Sequence, residues 1–118
     1  MSDDRTAPKR IRISRLQETQ LVAVGEVETA ATAMYYDHHF DAAEVPTRSL
    51  TDITALTRHH NVYVAEADHV VAGYAAWRDE APGVAYVEEI SVHPDFQRFG
   101  VGARLMQEIN DDARAQKL

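Results

Sequence analysis

Hydrophobic positions change period along this chain, and each change marks a border between elements. Residues 1–9 are polar, carry Pro8 and have no apolar period, which predicts a flexible N-terminal arm ahead of a domain spanning 10–118. Ile11 and Ile13 alternate with Arg10, Arg12 and Arg15, a short strand. Leu21, Val24, Val27, Ala31 and Met34 then recur at helical spacing, with Glu18, Glu26 and Glu28 expected on the other faces and an end near Tyr36 or Asp37. A loop over 37–47 contains Pro46. Ser49 with Asp52 predicts a capped second helix whose inner stripe is Leu50, Ile53, Leu56 and Thr57 and which ends near His59 and His60.

The period then falls to two. Asn61 to Glu66 and Val70 to Trp77 are expected strands joined by a tight turn at Ala67, Asp68 and His69. Gly73, inside the second of them, signals a bulge or a close backbone approach. Trp77 is expected in the core. Pro82 and Gly83 mark another turn, and Val84 to Val92 a further strand ending at His93 and Pro94. Past Gly100 the helical period returns, with Val101, Leu105, Met106 and Ile109 facing inward. The predicted order is β-α-α-β-β-β-α. That is an α+β fold, an antiparallel sheet flanked by helices.

Composition narrows the function. The chain has 118 residues, 45% of them hydrophobic, enough for one domain with a core. It has no cysteine, which removes disulfides, thiolate metal sites and a Cys nucleophile, and suits a cytoplasmic location. No apolar run approaches a membrane span, and no membrane partner is expected. A formal net charge of −7 repels phosphate backbones, so nucleic acid is not an expected partner, while a cationic acceptor is compatible with it.

The stretch that carries chemistry is Tyr86 to Ala103. A strand ends, a glycine-containing loop follows and a helix begins. The first amides of a helix lack intrahelical partners and sit at the positive end of its dipole, which suits a phosphate. Gly100 and Gly102 allow close approach, and Arg98 can add a charge-assisted contact. By spacing alone the signal is weak: it matches neither the dinucleotide fingerprint nor a P-loop.

Gln97-Arg98-Phe99-Gly100-Val101-Gly102 resembles the (Arg/Gln)-x-x-Gly-x-(Gly/Ala) motif of the GNAT superfamily of N-acetyltransferases. Val92-His93-Pro94-Asp95-Phe96 is similar to the segment just before it in that family, and Val71-Ala72-Gly73-Tyr74 to its third strand. The resemblance implies the GNAT fold and acetyl-CoA as co-substrate. It implies that the backbone of Ile90, Ser91 and Val92 pairs with the pantetheine arm and that the Ile90 N–H faces the thioester carbonyl. Amides over Gln97, Arg98, Phe99, Gly100, Val101, Gly102 and Ala103 are then expected to hold the pyrophosphate. The implied activity is transfer of acetyl to an amine of a small molecule or peptide by direct attack.

Glu88 and Glu89 are the candidate general bases, since a protonated amine must lose a proton before it attacks. Strand alternation puts Glu88 on one face with Tyr86 and Ile90, and Glu89 on the other. Tyr86-Val87-Glu88-Glu89 is similar to the Tyr-Leu-Glu-Asp of polyamine acetyltransferases, which favours Glu88. Tyr35, Tyr36, His38 and Phe40 are weaker candidates for the acceptor side. Asp37, His38, His39 and Asp41 offer metal-ligand types without metal-site spacing, and no metal is expected.

The family usually continues with a splayed strand, a helix carrying a Tyr acid and two final strands. The sequence given stops at Leu118. The expectation is a partial GNAT domain with an open strand edge, marginal as a monomer and prone to pair as a homodimer. The alternative readings are a non-catalytic acetyl-CoA-binding or interaction module, an inactive fragment, or a nucleotide-binding domain built on Gly100-Val101-Gly102.

Overall fold

A computed structural model of the chain describes residues 7–38 and 48–116, with only the backbone described over 35–38. β1 (Ile11–Arg15) leads through a short 3-10 turn at Glu18–Gln20 into α1 (Leu21–His38). α2 (Leu50–His59) precedes β2 (Asn61–Ala67), β3 (Val70–Ala81) and β4 (Val84–Val92). A 3-10 segment, Pro94–Phe99, then opens α3 (Val101–Gln116). The four strands form one antiparallel sheet in the order β1-β2-β3-β4.

Two hydrophobic layers sandwich the sheet. On one face Tyr63, Ala65, Ala75 and Trp77 pack against Val101, Leu105, Ile109 and Ala113 of α3. On the other, Val62, Val64, Tyr74 and Ala76 pack against Val24 and Val27 of α1 and Ile53 and Leu56 of α2. The faces alternate because successive strand side chains point opposite ways. Burial on both sides makes residues 62–65 of β2 and 71–77 of β3 continuously apolar rather than alternating, as a sheet covered on both faces requires. Trp77 is fully buried, as expected.

The short connections form for local reasons. Ser49 Oγ accepts the Asp52 N–H at 3.1 Å while Asp52 Oδ2 accepts the Ser49 N–H at 3.1 Å, so the predicted capping box starts α2. Asp68 and His69 both adopt positive φ, closing the β2–β3 hairpin in two residues. Asp68 then accepts the Lys9 and Arg10 amides, tying the entry of β1 to that turn.

Several expectations are corrected. β3 runs past Trp77 to Ala81, because the turn at Pro82 and Gly83 closes the hairpin. Leu50 and Thr57 are exposed rather than inward: Ile53 and Leu56 alone fill the inner stripe of α2. Glu28, expected on an outer face of α1, is 4% exposed and lies inside the sandwich. The last helix, α3, begins after Gly100 turns the chain at φ 78°, where the helical period was expected to return. Among the described residues no helix is long and apolar enough to cross a membrane.

Candidate functional site

The site grows from irregularities in β4. Ala76 pairs with Glu89 but Trp77 pairs with Val87, so Glu88 is an extra residue, a β-bulge. The bulge breaks the alternation expected of Glu88 and Glu89. Tyr86 pairs with Arg78 and Glu89 with Ala76, both toward α1 and α2, while Ile90 pairs with Ala75 toward the α3 side. Glu88 and Glu89 therefore reach the same side and share a partner, Arg48, the residue before the α2 cap. The correction follows from one inserted residue, which shifts every later side chain by one face.

Arg48 Nε donates to Glu89 Oε1 at 3.1 Å, and its Nη2 lies 3.6 Å from Glu88 Oε2. Ser91 Oγ donates to Glu89 Oε2 at 2.5 Å. Both Glu89 oxygens are thus occupied. Neither Glu88 oxygen accepts a hydrogen bond among the described residues. Beyond Arg48, Glu88 meets His60 Nε2 at 3.7 Å, and its side chain is 33% exposed. Both ring nitrogens of His60 are buried without a hydrogen-bond partner, and the ring faces Glu88 from the end of α2.

Behind these residues sits Glu28, which sequence reasoning missed. Tyr74 Oη donates to Glu28 Oε1 at 2.8 Å, and the Arg48 backbone N–H donates to Oε2 at 3.0 Å. Thr32 Oγ1 approaches at 3.4 Å from one turn further along α1. Burial lifts the Tyr74 phenol well above its ordinary value, helped by its bond to Glu28 and by the charges of Glu89 and Glu28. Partial burial disfavours the Arg48 cation. The hydrogen bond and charge of Glu89, followed by Tyr74 and Glu28, outweigh that and raise its pKa. One signal for Glu28 was available: its place four residues after Val24 and one after Val27, beside the buried stripe of α1.

The register also decides which backbone groups of β4 are available. His93 N donates to Ala72 O at 2.8 Å. Opposed pairs in an antiparallel ladder alternate between bonded and non-bonded. Ser91 and Tyr74 therefore form a bonded pair, whereas Ile90 and Val92 turn their N–H and C=O away from β3. Their side of β4 has no neighbouring strand among the described residues. Of the three residues expected to meet a pantetheine arm, Ile90 and Val92 point outward and Ser91 does not. Gln97 Nε2 already donates to Val92 O at 3.2 Å, so Gln97 braces the corner after β4.

Beyond that corner, the first backbone bond of α3 runs from Arg104 N to Gly100 O at 3.0 Å. Helix geometry leaves the Val101, Gly102 and Ala103 amides without intrahelical acceptors. A Cβ at Gly100 would meet nothing within 4 Å, so the surface over the turn is open. The Val101 side chain is fully buried and that of Phe99 packs on the core, so these two have only backbone to offer a ligand. Arg98 lies in the last turn of the 3-10 segment. Tyr35, Tyr36 and His38 fall in the last turn of α1, but their side chains, and Phe40 entirely, lie outside the described residues.

The family model for the acetyltransferase (GNAT) family matches residues 17–118. No curated protein sequence matches the chain. Among solved structures, the chain resembles the ribosomal-protein-S18-alanine N-acetyltransferase of Escherichia coli, with TM-score 0.68 and 23% identity over 88% of this chain and 59% of that one. It therefore spans about three fifths of that enzyme's length. The PaiA N-acetyltransferase of Thermoplasma acidophilum, in complex with coenzyme A, gives TM-score 0.74 at 15% identity, over 90% of this chain and 73% of that one. A GNAT acetyltransferase of Brucella melitensis, in complex with acetyl-CoA, gives TM-score 0.66 at 20% identity, over 90% of this chain and 70% of that one. At these identities the structures speak for the fold, and the family model, which covers most of the sequence, speaks for descent. The chain belongs to the GNAT family of acetyltransferases.

Proposed function

We propose that the chain binds acetyl-CoA along the free side of β4 and transfers its acetyl group to an amine of a small molecule or peptide by direct attack. The observation that carries this reading is the course of β4, where Ile90, with its backbone N–H facing outward, stands two residues after the bulged Glu88. A strand with open N–H and C=O groups can pair with an extended arm as it pairs with another strand. The open Gly100 turn and the α3 amides suit the pyrophosphate. The acetyl-CoA and coenzyme A complexes among similar structures support the same co-substrate.

In this reading Glu88 takes the proton from the incoming ammonium, directly or through one water. The neutral amine attacks the thioester carbonyl carbon, and the Ile90 N–H stabilises the oxyanion that forms. Collapse breaks the C–S bond, and the proton shed by the newly acylated nitrogen passes to the departing thiolate, leaving the neutral amide and coenzyme A thiol. Glu88 is preferred over Glu89 because both Glu89 oxygens are hydrogen-bonded, whereas Glu88 meets Arg48 and His60 only at 3.6 and 3.7 Å. Arg98 and Gln97 serve the pyrophosphate turn, the first by charge and the second by bracing. The cysteine-free composition supports a cytoplasmic location.

Acetyl-CoA binding measured by calorimetry, together with thiol release over a panel of amines, tests the proposal. Gly100→Glu should abolish binding, and Glu88→Gln should keep binding while lowering kcat by about 10²–10⁴. Retained turnover in Glu88→Gln removes Glu88 as the base. Binding without turnover of any amine favours the binding-module reading instead.

A further inference from the structure

We propose that Arg48 is a specificity-determining residue, one that limits the charge β4 presents to the acceptor to a single carboxylate. The inference rests on the reading of Glu88 as the acceptor-facing base. Three carboxylates converge here, from α1 and β4, and they are not equivalent. Glu28 is spent internally on Tyr74 and on the Arg48 backbone. Glu89 is spent on the Arg48 guanidinium and on Ser91. Glu88 lies 3.6 Å from Arg48 Nη2 and 3.7 Å from His60 Nε2, both too far for a hydrogen bond, and so keeps its hydrogen-bonding capacity for another cation.

The bulge is what makes Arg48 decisive. It brings Glu88 and Glu89 to one side, where two adjacent carboxylates would attract a dication. A single guanidinium laid across the pair cancels one of them. The Arg48 backbone is fixed by Glu28, and its side chain is 29% exposed, so it is held rather than loosely paired. The site therefore favours an acceptor with one positive charge at the reacting end. Without the guanidinium, Glu89 Oε1 opens beside Glu88 and a second ammonium gains a partner.

The test compares 1-aminobutane with 1,4-diaminobutane as acceptors for the whole chain with acetyl-CoA. The ratio of their kcat/KM values is read in the wild type, Arg48→Gln, Arg48→Lys and the double variant Arg48→Gln/Glu89→Gln. Arg48→Gln should raise the diamine preference roughly two- to fivefold, the scale of one partly exposed ion pair, and through KM rather than kcat. Arg48→Lys should keep the wild-type ratio. The double variant should return to it, which a merely structural role for Arg48 does not produce. If the wild type turns over neither amine, the same ratio is read from dissociation constants with coenzyme A bound. An unchanged ratio in Arg48→Gln, an equal rise in Arg48→Lys, no return in the double variant, or binding of neither amine overturns the proposal. Glu88→Gln separates the two readings: full activity there removes the base, whereas lost activity with an unmoved Arg48→Gln ratio removes only the role of Arg48.

Discussion

The Tyr74 hydroxyl donates to the Glu28 carboxylate across 2.8 Å, joining the middle of β3 to the middle of α1 inside the apolar layer. A carboxylate 4% exposed is tolerated there only because donors surround it. Tyr74, Thr32 and the Arg48 amide supply them from β3, from α1 itself and from the start of α2. The bond is thus a strut of the sandwich and the rear support of Arg48, the residue before the α2 cap.

Tyr74→Phe should destabilise the fold by about 1–3 kcal/mol, the usual range when a buried charged acceptor loses a donor. Glu28→Gln should cost a similar amount, because an amide brings a donor where only acceptors are wanted. Urea unfolding followed by circular dichroism measures both. The double variant Glu28→Gln/Tyr74→Phe should cost less than the sum of the two, since the same bond is removed once. Strict additivity sinks the strut.

Stability should fall steeply in alkali. Tyr63 is pushed up to about 12 from an ordinary 10.0, by burial first and then by its hydrogen bond to Asp112. Tyr74 is raised for the reasons given above. A raised folded pKa means that the folded state keeps a proton the unfolded state gives up above 10.0. The contribution is fully present below 10.0 and is lost as the pH climbs toward the folded value. Cysteine is absent and the only lysines are Lys9 and Lys117, so few other groups obscure the trend. Urea midpoints should decline from pH 10.0 to about 12, and Tyr63→Phe should flatten the slope. A slope untouched by that variant separates Tyr63 from the effect.

Much of this arrangement could be read from the sequence, and the failures have physical causes. The capping box, the hairpin turns and the two helical stripes are local, so Ser49, Asp52, Asp68 and Leu105 announced them. The register could not be read, because a bulge depends on what the opposing strand does. The chemistry of Glu88 and Glu89 is legible from residue type, yet their shared face follows only from the pairing of Ala76 with Glu89 and of Trp77 with Val87. Glu28 reads as an outer-face residue because a helical carboxylate is usually solvated, and only the partners gathered by tertiary folding reverse that. The turn at Gly100 was legible by residue type, whereas the outward aim of Ile90 needed the His93–Ala72 bond to fix the parity.

Two glycines should respond oppositely to alanine. A Cβ at Gly73 would come within 2.9 Å of Ser91 O, a rigid backbone atom of β4, and 3.2 Å of Val101 Cγ1. Gly73→Ala should therefore cost about 1–3 kcal/mol and loosen the β3–β4 contact next to the site. A Cβ at Gly25 would meet Leu50 Cδ2 at 2.7 Å, but that is the tip of a side chain 45% exposed, which can swing away. Alanine inside a helix is favoured over glycine by roughly 0.5–1 kcal/mol, so Gly25→Ala should be neutral or stabilising. Melting temperatures decide. A Gly73→Ala protein as stable as the wild type contradicts the close approach.

Proline placed along β4 separates the backbone's structural duty from its proposed chemical one. The parity of the ladder turns the Ile90 N–H outward and the Ser91 N–H toward Tyr74. Proline removes one donor and fixes φ near −65°. At Ile90 no β3–β4 hydrogen bond is lost, so Ile90→Pro should fold with a modest drop in melting temperature. At Ser91 the ladder breaks beside the Glu89 contact, so Ser91→Pro should lose far more stability. The chemical effect runs the other way. Ile90→Pro deletes the donor proposed to face the thioester oxyanion and should lower kcat by about 10²–10³ with acetyl-CoA still bound. Ile90→Ala keeps the N–H and should retain turnover, so loss confined to proline points to the backbone and not to the side chain. A folded Ile90→Pro protein that turns over at the wild-type rate moves the oxyanion donor elsewhere on the site.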